Sequence, residues 1–210
     1  MQYFWLTWRH KWFVLLAGLK TKVPLWRLLV HDWTKFFPAE LPHYQRQFFG
    51  KKLRVGSRIE IDSFEGVHGP AIITEERKSD GARFKVRMKD GSQEFWAHDF
   101  EVVELGKDPY GFIRCWVHHQ NHNPHHWEYW IPRTGHNRCT PPYPDNVPIQ
   151  MSEWAVREMV ADWIGASRAY EGKWPVRGEW SWLKNNYPKI RVHPSTAELI
   201  TSILTEMELL

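Results

Sequence analysis

The chain has 210 residues, of which 42% are hydrophobic and 25% are charged. These proportions are typical of a soluble globular protein and exclude a long disordered chain, and the length allows one full core and a small second module. Lys and Arg exceed Asp and Glu by 28 to 24, so the charge permits an anionic substrate but does not by itself indicate a nucleic-acid-binding protein.

Cysteine usage and the N-terminal segment bear on the expected compartment. Cys115 and Cys139 are the only cysteines, which predicts no disulfide framework and favours a reducing compartment. Arg9, Lys11 and Lys20 interrupt the apolar N-terminal stretch, so it predicts neither a membrane span nor a signal peptide. We therefore expect a cytoplasmic protein with no membrane partner.

Three helices are predicted at the start of the chain. Residues 2–18 lack proline, and Gly18 is a plausible helix end. Pro24 suits the first turn of a second helix. That helix is expected to carry three polar residues, His31, Asp32 and Lys35. A third helix is predicted over residues 38–49.

The periodicity then changes to two, which is typical of strands. Residues 58–62 and 83–89 alternate apolar and polar side chains. Asp80-Gly81 and Asp90-Gly91 are hairpin turn signals, because glycine accepts a positive φ without a steric clash. Five short strands with tight turns predict a small SH3-like β-barrel.

Helices are predicted again after the strands. Asp108-Pro109 resembles an N-cap followed by a first-turn proline, and that helix should end near His122. A proline-rich connection follows. Residues 152–170 and 195–208 are predicted as two more helices, the second with the spacing of a capping box.

These elements predict a mainly α fold of two parts. Residues 1–50 and 106–210 should form a helical domain, and residues 51–105 should form an inserted β module. Because the charges of the module are mixed in sign, we expect it to pack on the helices or to mediate homo-oligomerisation rather than to bind nucleic acid.

A pair of adjacent residues, His31 and Asp32, is the most informative feature of the chain. An imidazole and a carboxylate near the end of an apolar helical run can chelate a divalent metal. The pair is accompanied by His10 upstream and by Asp162 in a later predicted helix, where Glu158 is the competing carboxylate. A histidine cluster lies between them: His118, His119, His122, His125 and His126.

Packing alone hardly explains this density of histidines, and neutral imidazole is the commonest metal ligand. Within the cluster we expect His119 and His126 to be ligands, with His125 next. Lys35 follows His31 by four residues, which would place its ammonium on the same helix face. Lys35 is expected to contact a phosphate or a metal-bound hydroxide; the alternative is a solvated lysine at a helix end.

The order of these residues, His, His-Asp, histidine cluster and Asp, resembles the HD-domain superfamily of metal-dependent phosphohydrolases. The segments 10–14, 31–36, 123–130 and 158–163 look like the signatures of an uncharacterised HD-like family common in bacteriophages and bacteria. The resemblance covers the helical parts and implies an HD-like helical bundle, in the host cytoplasm if the protein is phage-encoded. It also implies one or two divalent ions (Mn, Mg, Co, Ni, Zn or Fe), with His10, His31, Asp32 and Asp162 converging on one of them.

The resemblance implies hydrolysis of a phosphoester, with a nucleotide as the expected substrate. Asp32 and Lys35 would be catalytic, and three further residues would bind substrate: Arg168, Tyr170 and Lys173. The chain has 14 Trp, which we expect mainly to pack the core, with one or two stacking on a substrate ring. Two alternatives remain open, an HD-type di-iron oxygenase and a non-catalytic protein that binds a nucleotide or a partner.

Overall fold

The computed structural model describes residues 2–49, 53–62, 67–77, 83–98, 101–104, 111–132 and 146–210. The chain divides into two compact units, one of residues 1–45 and 115–210 and the other of residues 46–114. The first unit is helical, and the second contains an antiparallel sheet. The structure thus confirms a mainly helical protein with a small β segment.

The helices in the described ranges are α1 (Gln2–Lys20), α2 (Leu25–Val30), α3 (Leu41–Phe49), α4 (Gly111–His122), α5 (Glu153–Glu171), α6 (Ser181–Asn186) and α7 (Pro194–Glu206). Short 3-10 segments span Trp33–Phe36, Trp127–Trp130 and Tyr187–Lys189. The strands are β1 (Arg58–Asp62), β2 (His68–Glu76), β3 (Phe84–Met88), β4 (Glu94–Ala97) and β5 (Val102–Glu104). No helix in these ranges combines the length and the apolar character that crossing a bilayer requires.

The core of the helical unit forms where α1 packs along α5. Val14 of α1 and Val160 of α5 are fully buried, together with Ile200 of α7. Gly165 allows the close approach, because a Cβ at this position would lie 2.6 Å from the backbone nitrogen of Val14. The two helices that carry His10 and Asp162 are therefore held at a short, fixed separation.

Replacing Gly165 with Ala should destabilise the protein by about 1–3 kcal/mol, the usual cost of overpacking a core. The added methyl group meets backbone atoms of Val14, which cannot rotate away. Gly18→Ala is the control, because its Cβ would meet side-chain atoms of Leu28 rather than backbone atoms and so should cost less. Thermal and urea unfolding measure both, and equal losses in the two variants would contradict this account of the α1–α5 contact.

The second helix is shorter than the sequence predicted. It ends at Val30, and His31 already has a ψ of 128°. Asp32 adopts the left-handed conformation with φ 54°, which aspartate tolerates better than most residues. Lys35 lies in the 3-10 segment that follows, so the prediction of one continuous helix through His31, Asp32 and Lys35 was wrong.

Two other helix starts differ from the predictions. The third helix begins at Leu41, because residues 38–40 form a turn. The final helix begins at Pro194, and the His193 Nδ1 atom accepts a hydrogen bond from the Ser195 amide, so His193 rather than Ser195 provides the cap. The predicted cap at Asp108-Pro109 and the Asp80-Gly81 turn lie outside the described residues.

The β unit is an open sheet with strand order β4-β3-β2-β1-β5. All neighbouring strands are antiparallel, and Ile59, Ile73 and Val86 fill the buried face. Gly91, with φ 75°, turns the chain between β3 and β4 as predicted. Within the described residues β4 and β5 remain at opposite edges of the sheet without pairing, so the predicted closure into an SH3-like barrel was wrong.

Candidate metal centre

Three chain segments bring the first set of donor atoms together. His10 lies on α1, His31 and Asp32 follow α2, and Asp162 lies on α5. The His10 Nε2 atom is 3.2 Å from Asp32 Oδ2 and 3.0 Å from Asp162 Oδ1. The His31 Nε2 atom is 3.5 Å from each of the same two oxygens. We call these four residues group A; their donor atoms lie within 4.8 Å of one another.

A second set of donor atoms meets the other oxygen of Asp32. His119 lies near the end of α4, and His125 and His126 follow that helix. Asp32 Oδ1 is 3.3 Å from His119 Nε2 and 3.4 Å from His125 Nε2. Group B comprises Asp32, His119, His125 and His126, again with donor atoms within 4.8 Å of one another.

Asp32 therefore lies between the two groups and offers one carboxylate oxygen to each. Its side chain is fully buried, and its left-handed backbone lies just after the end of α2. Burial alone would raise the pKa of Asp32, but His31, Lys35 and His119 hold it well below the usual range. The carboxylate is thus ionised and ready to coordinate a cation.

Most donor atoms of both groups lack the hydrogen bonds that buried polar atoms normally make; the exception is Asp32 Oδ2, which pairs with Lys35. Among the described residues, no hydrogen-bond partner is found for the Nε2 atoms of His10, His31, His119, His125 and His126, nor for the Oδ1 atoms of Asp32 and Asp162. Leaving so many buried polar atoms unpaired would be costly. Imidazole nitrogens and carboxylate oxygens are also the donors that divalent transition metals prefer. These residues could hold a metal ion, and their unpaired atoms fit one.

Glu158 orients two of the imidazoles. Its Oε1 atom is 3.1 Å from His31 Nδ1 and 3.4 Å from His125 Nδ1, and its Oε2 atom accepts from Arg27 at 3.0 Å. With Nδ1–H donating to the carboxylate, each ring presents a neutral Nε2 lone pair to the centre. Burial favours a higher pKa for Glu158, but His125 and His31 lower it to about 2.

Glu40 has the corresponding role beside α4. Its side chain is fully buried, and its Oε2 atom lies 3.0 Å from His119 Nδ1 while Oε1 lies 2.8 Å from His118 Nδ1. The contacts give His119 the same tautomer as His31. His118 thus contacts a carboxylate outside both groups, and His122 donates to the backbone oxygen of His118 at 2.7 Å.

Two lysines reinforce the centre. The Lys11 ammonium donates to the backbone oxygens of His31 and Leu29, which fixes the end of α2 beside α1. The Lys35 ammonium forms an ion pair with Asp32 Oδ2. Burial favours a lower pKa for Lys35, but Asp32 raises it well above the usual value, so Lys35 carries a positive charge at the centre.

Protons and metal ions should compete for this centre. Burial tends to lower the pKa of His10, but its contacts with Asp162 and Asp32 outweigh burial and raise it above 6.5. The pKa of His31 is also raised, since Asp32 and Asp162 outweigh the effect of burial. In the metal-free protein both rings thus retain protons at higher pH than free histidine does.

Affinity for Mn²⁺ should accordingly increase as the pH rises above about 6.5, with release of protons on binding. Affinity should rise with pH because the pKa of His10 and of His31 is raised. Each ring therefore keeps its proton to a higher pH, and the metal must displace that proton to bind. Calorimetric titration with Mn²⁺ in buffers of different ionisation enthalpy, at about pH 6 to 8, measures both quantities. Affinity that stays constant over this range would contradict the assigned ligands.

A cavity of about 370 Å³ adjoins the centre, with His125, His126 and Asp162 in its wall. Five aromatic side chains line it: Trp116, Trp127, Trp163, Tyr170 and Trp182. Asn186 and Lys189 add polar groups. Asp162 is 17% exposed, whereas Asp32 is fully buried, so the centre is reached from the side of Asp162.

The predicted substrate-binding residues have different surroundings. Tyr170 lines the cavity, and its ring stacks on His10 with a centroid separation of 5.7 Å. The Arg168 guanidinium lies over the ring of Phe13 at 5.3 Å, and Lys173 is exposed after α5. Arg168, Lys173 and Lys35 are not among the described residues that line the cavity, and Lys35 instead pairs with Asp32.

Sequence reasoning did not assign the roles of Glu40 and Glu158. Glu158 had been considered as a competitor of Asp162 for the metal, and its position one turn earlier on α5 was the available signal. Glu40 gave no signal, because it lies in a turn before α3 and contacts residues 78 and 79 positions away.

The chain belongs to DUF5662, a family of unknown function, whose sequence model matches residues 1–69 and 73–206. The match contains every residue of groups A and B, and it runs through the strands as well as the helices. No curated protein and no solved structure matches the chain.

Proposed function

We propose that this protein is a metal-dependent phosphohydrolase that acts on a nucleotide or a related phosphoester. The observation that carries the proposal is the position of Asp32 between groups A and B, seven residues in all. Their donor atoms are buried, and apart from Asp32 Oδ2, which pairs with Lys35, they lack hydrogen-bond partners among the described residues. Hydrolytic two-metal sites bind phosphoesters between adjacent cations. The HD-like order of His10, His31, Asp32 and Asp162 supports the same class.

Two ions fit the donor set better than one. Asp32 directs Oδ2 towards His10 and His31 and directs Oδ1 towards His119 and His125. One small cation could not contact all the donors of both groups at normal ligand distances of roughly 2.0–2.2 Å. Asp162 would be the remaining protein ligand of an ion at group A, and His126 would be the remaining ligand of an ion at group B.

Divalent ions bound there would polarise the phosphoryl group and activate water for attack. The chain's own residues have three tasks. Glu158 and Glu40 hold the imidazoles in one tautomer, and Lys35 supplies a positive charge to a phosphate at the centre. Asp162, at the exposed side, lies where a substrate enters.

The aromatic cavity supports a substrate with a planar ring. In this proposal a base would pack against aromatic residues of the cavity such as Tyr170 and Trp182, and the phosphate would lie near His126 and Asp162. Asn186 also lines the cavity, and its amide nitrogen donates to the Trp182 backbone oxygen. These contacts favour a nucleotide over a small sugar phosphate.

Phosphate release from a panel of nucleotides, sugar phosphates and phosphodiesters tests the proposal. The purified protein would be assayed with Mn, Mg, Co, Ni, Zn and Fe(II) separately. We expect nucleotide hydrolysis with at least one metal and its loss in His31→Ala, while Glu153→Gln on the exposed side of α5 keeps it. Absence of turnover across the panel, with a nucleotide recovered unchanged from the protein, would instead support a non-catalytic binding protein.

A di-iron oxygenase is the second candidate. Group B contains three imidazoles and one carboxylate, and imidazole-rich sites bind iron well. The metal content of protein purified without oxygen separates the two functions. Two irons per chain with oxygen consumption would favour the oxygenase, whereas Mn, Mg or Ni without redox activity would exclude it.

A further inference from the structure

The outward side of α1 is apolar. Its exposed large side chains are Phe4, Trp5, Trp8, Trp12 and Leu19, which are between 37% and 67% exposed. At about 100° per residue these five occupy one arc of roughly 100° on the helix. The inward arc, with Val14 and Ala17, is buried against the core. A helix that is apolar on both sides requires an apolar environment on both sides.

The apolar surface continues onto α2 and the segment after it. Leu25, Trp26, Leu29, Val30 and Trp33 are between 48% and 62% exposed. Phe36 joins the two helices, with its ring centroid 5.5 Å from that of Trp8 and 5.6 Å from that of Trp33. We call the ten exposed residues the N-terminal apolar face. The sequence predicts that tryptophans mainly pack the core. That prediction was wrong for this face, where five tryptophans are exposed.

The exposed charged residues of the segment that forms this face, residues 1–39, are all cationic. Within residues 1–39 the only acidic residue is Asp32, and it is fully buried. The same stretch contains six cationic residues: Arg9, Lys11, Lys20, Lys22, Arg27 and Lys35. Arg9 and Lys20 are exposed and follow directly after the apolar arc of α1 on the helix. Lys22 is 66% exposed and pairs with Glu206 of α7.

We propose that the N-terminal apolar face binds the surface of a membrane that contains anionic phospholipids. Tryptophans prefer the interface between headgroups and acyl chains, and exposed cationic residues beside them are attracted to anionic headgroups. Charge complementarity selects this occupant, because residues 1–39 present no exposed carboxylate to repel a negative surface, and the neighbouring Glu206 of α7 is paired with Lys22. In this proposal the two helices lie in the plane of the membrane without crossing it, whereas the sequence predicts no membrane partner.

Co-sedimentation with vesicles tests this binding. Wild-type protein would be mixed with phosphatidylcholine vesicles, with or without about 30% phosphatidylglycerol. We expect binding to the anionic vesicles that weakens with added salt, and much weaker binding to the neutral ones. Trp5→Gln combined with Trp12→Gln should reduce the partition coefficient on the order of tenfold or more. Lys20→Gln should weaken binding to anionic vesicles only.

Control variants keep the test specific to the face. Val147→Gln combined with Val176→Gln removes exposed apolar side chains elsewhere in the helical unit and should bind as the wild type does. Circular dichroism and thermal unfolding verify the fold of every variant. Quenching of tryptophan fluorescence by brominated lipids should also fall in the Trp5 and Trp12 variant.

Equal vesicle binding by the wild type and the Trp5 and Trp12 variant would overturn the proposal. Failure of the wild type to bind anionic vesicles at low salt would do so as well. A different result would be a wild type that self-associates in solution and does not bind vesicles. If the Trp5 and Trp12 variant abolished that self-association, the face would be assigned to a second copy of the chain.

Discussion

Asp32→Asn should remove most of the metal binding at both groups and reduce any metal-dependent turnover on the order of a thousandfold or more. The carboxylate supplies one oxygen to group A and the other to group B, so a single substitution weakens both sites. Asparagine preserves the size of the side chain, and it also tolerates the left-handed backbone at this position. Calorimetric titration with Mn²⁺ measures the lost affinity.

The control for this variant is Asp90→Asn in the turn between β3 and β4. Asp90 is exposed and accepts from the Ser92 amide, so its replacement should leave metal binding unchanged. Because Lys35 loses its buried partner in Asp32→Asn, thermal unfolding must verify that the variant is folded. A folded Asp32→Asn protein that binds Mn²⁺ as the wild type does would refute the role of Asp32 as the shared ligand.

Glu158→Gln should weaken metal affinity by about 10- to 100-fold, the usual cost of removing a carboxylate that supports metal ligands. One oxygen of this carboxylate contacts Nδ1 of His31 and Nδ1 of His125, and the other oxygen accepts from Arg27. A neutral amide no longer favours Nδ1–H on both rings, so their Nε2 atoms become poorer donors. The Arg27 charge also loses its buried partner, which should lower the stability of the protein.

Glu153→Gln on the same helix is the matched control. Glu153 is 65% exposed and pairs only with Arg157 among the described residues, so its loss should have little effect. Titrating both variants with Mn²⁺ under the same conditions isolates the effect on the ligands. If Glu158→Gln bound the metal as tightly as Glu153→Gln, Glu158 would be a structural residue without influence on the centre.

The sequence was sufficient to predict the long helices and the clustering of the donor residues. Residues 2–18 and 152–170 carry the patterns of α1 and α5, which the structure contains with bounds that differ by no more than two residues. His10, His31, Asp32 and Asp162 were expected to converge, and the structure brings them together with the predicted His119, His125 and His126. Residue type and order along the chain carried this information.

Local patterns could not reveal where α2 ends. Residues 25–36 are compatible with one helix, but the Lys11 ammonium on α1 takes the backbone oxygens of Leu29 and His31. That tertiary contact stabilises the end of α2, and the left-handed turn at Asp32 follows. The bridging position of Asp32 depends on this break, so sequence periodicity alone could not have predicted it.

The roles of Glu40 and of the exposed tryptophans were inaccessible for a similar reason. Glu40 acquires its role from contacts with α4, far away in sequence. Trp5 and Trp12 belong to a helix whose two sides are both apolar, so the pattern does not indicate which side faces the core. The predicted closure of the sheet into a barrel was wrong because turn signals specify hairpins but do not specify whether the edge strands pair.

Anomalous diffraction from crystals grown with Mn²⁺ tests the central claim most directly, namely that Asp32 joins two metal sites. We predict two anomalous peaks, one between Asp32 Oδ2, His10, His31 and Asp162, and the other between Asp32 Oδ1, His119, His125 and His126. Ligand distances should be near 2.0–2.3 Å, roughly those of first-row divalent ions. Crystals that contain Mn²⁺ at other positions, or none at Asp32, would contradict the account.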